Sequence, residues 1–222
     1  VYLLVQIGTG GGGVTGVTVF INEIHYENTG GDAGEGIEIA GTAGTDLSCY
    51  QLDLYNGNSN SVYNTITLSG TIPDQHCGYG TVWFDISGIQ NGSPDGVSLY
   101  DTCNAIMIQF LSYEGTMTAQ GGPADGLNSI DIGFNEDDAN VGESLQLVGT
   151  GTQHGDFSWQ TATVSSGAMV NTNQDFCVPT AVGCGTDSTQ LELTINTVMY
   201  GYEISWSITD GTGALVDTGT GY

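Results

Sequence analysis

The sequence predicts an all-β protein, a Greek-key β-sandwich with smaller β pieces at either end. Three observations carry that prediction. Thr, Val, Ile and Tyr recur in short runs with alternating polarity, the residue types that suit a pleated, half-buried surface. Glycine reaches 36 of 222 residues, and the glycines cluster with Asn, Asp and Ser between those runs as turn chemistry. Helix formers are concentrated nowhere. The length suits one sandwich with extra strands and can bury a real core, so disulfides would assist the fold rather than replace its core.

Taken in order, residues 1–7 read as a strand that is apolar on both faces. Val1, Leu3, Val5 and Ile7 lie on one face, with Tyr2 and Leu4 on the other. Gly8-Thr9-Gly10-Gly11-Gly12-Gly13 follows as a flexible tether, giving a first segment of residues 1–13. Residues 14–177 hold the sandwich. Strands are expected at 17–24, 36–40, 50–55, 62–68, 81–85, 96–100, 107–113 and 143–147. They are separated by turns such as Tyr55-Asn56-Gly57-Asn58 and Gly121-Gly122-Pro123-Ala124-Asp125-Gly126. In residues 178–222, Leu191, Leu193 and Ile195 alternate with polar residues, as do Ile204, Trp206 and Ile208. Asp210-Gly211-Thr212-Gly213 then turns the chain back. About three strands are marginal as an independent fold, so this small domain is expected to need completing.

The charge excludes much chemistry. The chain has no lysine and no arginine against 25 acidic residues, a formal charge of -25. Counterion release on a nucleic-acid backbone requires basic side chains, and so does adsorption to an anionic membrane. Phosphate-cradling lysines, Schiff-base lysines and arginine clamps are impossible within this chain. No stretch is long and apolar enough for a transmembrane helix, and with no basic n-region at Val1 any signal peptide is expected to be gone already. No site exists for a protease that cuts after Lys or Arg. Every carboxylate must be solvated, capped by backbone N–H groups or met by a cation, for which calcium is the expected choice. The densest loop, Asn135-Glu136-Asp137-Asp138-Ala139-Asn140, makes Asn135, Asp137 and Asp138 the candidate ligands, although it lacks EF-hand spacing. The loop at residues 27–35 is a second acidic stretch.

Five cysteines point to an oxidising compartment, with one left over. Cys177 and Cys184 are close in sequence and are expected to close a small disulfide loop. Cys77 and Cys103 are expected in disulfides too, with Cys49 near a strand start and the pairing open. Catalytic patterns are weak. His25, His76 and His154 form no H-E-x-x-H, and no Gly-x-Ser-x-Gly is present. His76 beside Cys77 reads as a histidine next to a disulfide. Glu23 and Glu38 have the look of a glycosidase carboxylate pair, yet both sit in strand motifs and read as part of the fold.

Those motifs carry a resemblance. Phe20-Ile21-Asn22-Glu23-Ile24 with Gly36-Ile37-Glu38-Ile39 resembles the opening of lamin-tail domains. Gly44-Thr45-Asp46-Leu47-Ser48, Gln90-Asn91-Gly92-Ser93-Pro94-Asp95-Gly96-Val97 and Ile108-Gln109-Phe110-Leu111-Ser112-Tyr113-Glu114-Gly115 are similar to the bacterial secreted branch. So are Gly142-Glu143-Ser144-Leu145-Gln146-Leu147 and Asp156-Phe157-Ser158-Trp159. The resemblance spans nearly three quarters of the chain and implies an immunoglobulin-like sandwich without an active site, found in surface proteins and appended to secreted nucleases and metalloproteases. Cys49 departs from the pattern. Tyr200-Gly201-Tyr202-Glu203-Ile204-Ser205-Trp206 resembles the start of a small β repeat domain of secreted proteins in Bacteroidetes-type bacteria.

The expectation is a non-catalytic, extracellular structural or adhesive protein at the cell surface. In its sharpest form, Val1, Tyr2, Leu3, Leu4, Val5 and Ile7 form a donor strand for a neighbour's C-terminal sheet, with Ile204, Trp206 and Ile208 on the acceptor. That arrangement gives a head-to-tail homopolymer, a filament. The alternatives are completion within one chain and an accessory module of a secreted hydrolase. Self-association or other surface proteins are the expected partners, not nucleic acid or a membrane.

Overall fold

The computed structural model describes residues 18–178 and two strands at 205–209 and 215–220. The chain divides into two compact units, Gly13–Thr180 and a second made of Val1–Gly12 with Ala181–Tyr222. The first unit is a sandwich of two sheets. Its strands are β1 (Val19–His25), β2 (Gly36–Thr42), β3 (Tyr50–Asn56), β4 (Ser61–Thr67) and β5 (Tyr79–Asp85). They continue with β6 (Asp95–Asp101), β7 (Ile106–Tyr113), β8 (Ile130–Asp131), β9 (Glu143–Thr150), β10 (Phe157–Val164) and β11 (Gln174–Asp175). One sheet runs β10-β9-β1-β2-β5, with β11 pairing parallel to β9; the other runs β4-β3-β6-β7-β8. The neighbours β2–β5 and β3–β6 are antiparallel pairs separated in sequence, as Greek-key connections require.

All eight strands expected in the sandwich form. The core between the sheets comes from their alternation: Ile37 and Ile39 on β2, Leu52 and Leu54 on β3, Val97 and Leu99 on β6 are all buried. Each such side chain contributes about 1.5–3 kcal/mol by leaving water. The β1–β2 sheet is covered on its other face as well. Phe20, Ala40, Leu147 and Phe157 there pack with Phe176, whose ring lies 5.3 Å from Tyr79 in a stacked contact. Phe176 belongs to a strap, residues 165–178, that crosses this face. Double coverage explains why every residue of β1 is buried. On the opposite sheet, residues 116–129 cover Tyr55 and Phe110 with Met117, Ala119 and Ala124.

Cys49 and Cys103 form a disulfide that joins the start of β3 to the turn after β6, strands already paired there through Tyr50 and Asp101. The second disulfide corrects the sequence reading: Cys177 bonds Cys77, 100 residues away, and not Cys184. Closeness in sequence favoured the short loop. The parallel pairing of β11 with β9 instead carries the strap's end to the turn before β5, where His76 Nε2 also meets Asp175 Oδ1 at 2.8 Å. Cys184 lies outside the described residues, and so does the proposed donor segment at residues 1–7.

In the second unit the described residues form one antiparallel pair, β12 (Ser205–Thr209) with β13 (Leu215–Thr220). Trp206 and Ile208 fall on β12, and Ile204 lies outside the described residues. No helix among the described residues is long and apolar enough to cross a membrane.

Candidate cation site

One end of the sandwich gathers acidic side chains from both sheets. Glu27 follows β1, Glu114 follows β7, and Asp137 lies in the loop between β8 and β9. Their carboxylate oxygens lie within 4.8 Å of one another. Tyr26 holds Glu114 in place by donating its hydroxyl to Oε1 at 2.9 Å, and Ser93 Oγ donates to the Glu114 carbonyl at 3.0 Å. Glu114 itself has a left-handed backbone, φ 60°, a conformation that side chains with a Cβ rarely adopt. Tyr26 in turn stacks on Tyr113 with ring centroids 3.9 Å apart. An open groove of about 310 Å³, lined by Glu114, Asp131, Phe134 and Asn135 among others, adjoins the cluster.

The floor is a buried acid. Glu136, with no exposure, accepts from the backbone N–H groups of Tyr26 and Glu27 at 2.6 and 3.0 Å, and its Oε1 lies 3.0 Å from His25 Nδ1. Burial disfavours charge on His25, but the Glu136 carboxylate and the Ala33 carbonyl outweigh it and raise its proton affinity. Above the floor, burial and then the charges of Glu114 and Asp137 raise Glu27. Burial likewise raises Glu114, opposed by the Tyr26 hydroxyl and reinforced by Asp137. Three convergent carboxylates with no lysine or arginine in the chain suit a hard, oxygen-seeking cation such as calcium.

This differs from the ligand set expected from sequence. Asp137 is in the cluster. Asp138 is exposed and outside it, and exposed Asn135 donates its amide to Asp137 Oδ2 at 2.9 Å. The loop that contributes Glu27 was the second acidic stretch in the sequence. Glu114 was not legible, because only the β7 register brings it to β1's end.

His76, Cys77 and Cys177 also converge, with His76 Nε2 at 3.3 Å from Cys177 Sγ. Both sulfurs are in the disulfide and offer no thiolate to a metal. Glu23 and Glu38 face each other directly across β1 and β2 and are both fully buried. Fold and site together define the class: a disulfide-bonded, strongly acidic β-sandwich with a carboxylate cluster at one end. No family model, curated protein or solved structure matches this chain.

Proposed function

We propose that this chain is a non-catalytic, extracellular structural or adhesive protein, a filament subunit that assembles by β-strand addition between neighbours. The observation supporting this reading is the β12–β13 pair, which among the described residues is a two-stranded sheet of five and six residues. Such a ribbon is marginal in water without a third strand or a covering layer. Residues 1–7, apolar on both faces and followed by a glycine tether, are the strand assigned to complete it in a neighbouring subunit. Two disulfides support an oxidising, extracellular setting. The inaccessibility of Glu23 and Glu38, and the disulfide beside His76, support a role without catalysis. The lamin-tail-like motifs support the same reading of the sandwich.

Size-exclusion chromatography and negative-stain microscopy of the full chain test it. Polymers are expected, and deleting residues 1–13 is expected to leave monomers. A monodisperse full chain, or polymers indifferent to the deletion, would sink the proposal.

A further inference from the structure

The two disulfides of the sandwich have matching surroundings except for one histidine. Each joins an exposed cysteine to a half-buried one: Cys103 to Cys49, and Cys77 to Cys177. In each, an aspartate just upstream accepts the N–H of one cysteine through Oδ1. Asp101 does so for Cys103 at 3.0 Å, and Asp175 for Cys177 at 2.8 Å. The difference lies beside Cys177, whose Sγ has His76 Nε2 at 3.3 Å. No lysine or arginine exists to play that part at Cys49–Cys103. The other two histidines are engaged elsewhere, His25 with Glu136 and His154 against the Phe20 ring.

His76 and Cys77 are neighbours in sequence, and on an extended strand their side chains would face opposite ways. A tight turn from His76 to Tyr79, with Cys77 at φ 53°, brings both to Cys177. Asp175 Oδ1 lies 2.8 Å from His76 Nε2 and so holds a proton on that nitrogen. The same N–H faces Cys177 Sγ. A thiolate formed there finds a donor already in place, and a stabilised thiolate is the better leaving group in disulfide exchange. His76 and Cys77 are both exposed, so the other sulfur is open to attack.

We propose that Cys77–Cys177 is a thiol-exchange site, opened by a dithiol reductant with Cys177 as the leaving sulfur beside His76, and that its opening unlatches the strap. One thiolate of the dithiol attacks Cys77 Sγ and forms a mixed disulfide. The electron pair of the Cys77–Cys177 bond departs with Cys177 Sγ, which accepts the His76 Nε2–H. The second thiol of the reductant then attacks its own sulfur in the mixed disulfide and frees Cys77. The dithiol leaves oxidised to a disulfide, and the protein holds two reduced cysteines. Exposed disulfides of secreted proteins are the labile, regulatory ones, and this one ties down the end of the strap.

The test uses the full chain carrying Cys184→Ala, so that the fifth cysteine cannot exchange. Timed reduction by dithiothreitol at pH 7 is quenched by alkylation. Digestion at acidic residues and mass spectrometry then follow each disulfide separately. Cys77–Cys177 is expected to open about tenfold faster than Cys49–Cys103, and His76→Ala to slow it about tenfold without changing the other. The sign is decisive. A histidine that merely braced the strap would, when removed, loosen it and speed reduction. Equal rates for the two disulfides, or a rate that His76→Ala raises or leaves alone, would overturn the proposal. The comparison within the parent chain stands even if that variant fails to fold. A monothiol, 2-mercaptoethanol, is expected to be trapped on Cys77, and an adduct on Cys177 instead would refute the leaving-group assignment. While only Cys77–Cys177 is open, hydrogen exchange is expected to rise in residues 165–178, and unchanged exchange there would refute the unlatching.

Discussion

Glu136 shows how much one residue can hold in a chain without lysine or arginine. Its carboxylate serves two backbone N–H groups and the His25 ring from a position with no exposure. Replacing it with alanine strands all three, and the expected loss is about 3–5 kcal/mol, read from urea unfolding. The pair also sets a pH dependence. His25's folded proton affinity lies above its ordinary value of 6.5, so its contribution is complete below that pH and is lost as pH rises through the folded value. Glu136→Gln is expected to flatten that limb of the stability profile. Glu38 acts over a different window for an acid reason. Its folded value, about 8 against 4.5, makes the ionised form costly, so stability falls as pH climbs from about 4.5 to 8. Glu38→Gln is expected to remove that fall, measured by thermal unfolding in a chelating buffer.

The strap is the element whose attachment decides most. It is held by Phe176 among Tyr79 and Phe157, by the reciprocal amide pair of Gln174 and Asn22, and by Cys77–Cys177. Replacing both of those cysteines with alanine reopens a loop of 100 residues, for which chain entropy gives a loss of about 4–5 kcal/mol. Hydrogen exchange is expected to rise first in residues 165–178. The eight principal strands were readable because each is a run of β-branched, aromatic and other apolar residues bounded by glycine and asparagine turns. β10 was not, since every residue after Phe157 is half-exposed or exposed and its period is broken by a bulge between Gln160 and Thr163. β8 and β11 have two residues each, too short to show any period. The cysteine pairing and the Glu27–Glu114–Asp137 cluster share one obstacle: both are made by segments distant in sequence, and local spacing carries no trace of them. Glu23 and Glu38 were visible as a pair because each sits in a regular strand, whereas the serines that serve Glu23 and the strap above them depend on tertiary packing.

Across the whole molecule, 25 acidic side chains with no lysine or arginine repel one another in any compact state. Added sodium chloride is therefore expected to raise the unfolding midpoint at pH 7, most steeply below about 0.15 M where screening is incomplete. A midpoint that falls or stays level would show that the acids are already neutralised by bound ions. Topology has a temporal consequence of its own. β1 pairs with β9, more than a hundred residues later, and Asn22 meets Gln174 across a separation of 152. During synthesis at roughly 5–20 residues per second, β1 waits many seconds for the partners that close its second edge and cover its face. Through that interval the chain stays unfinished, and the sandwich can lock only when the strap has emerged.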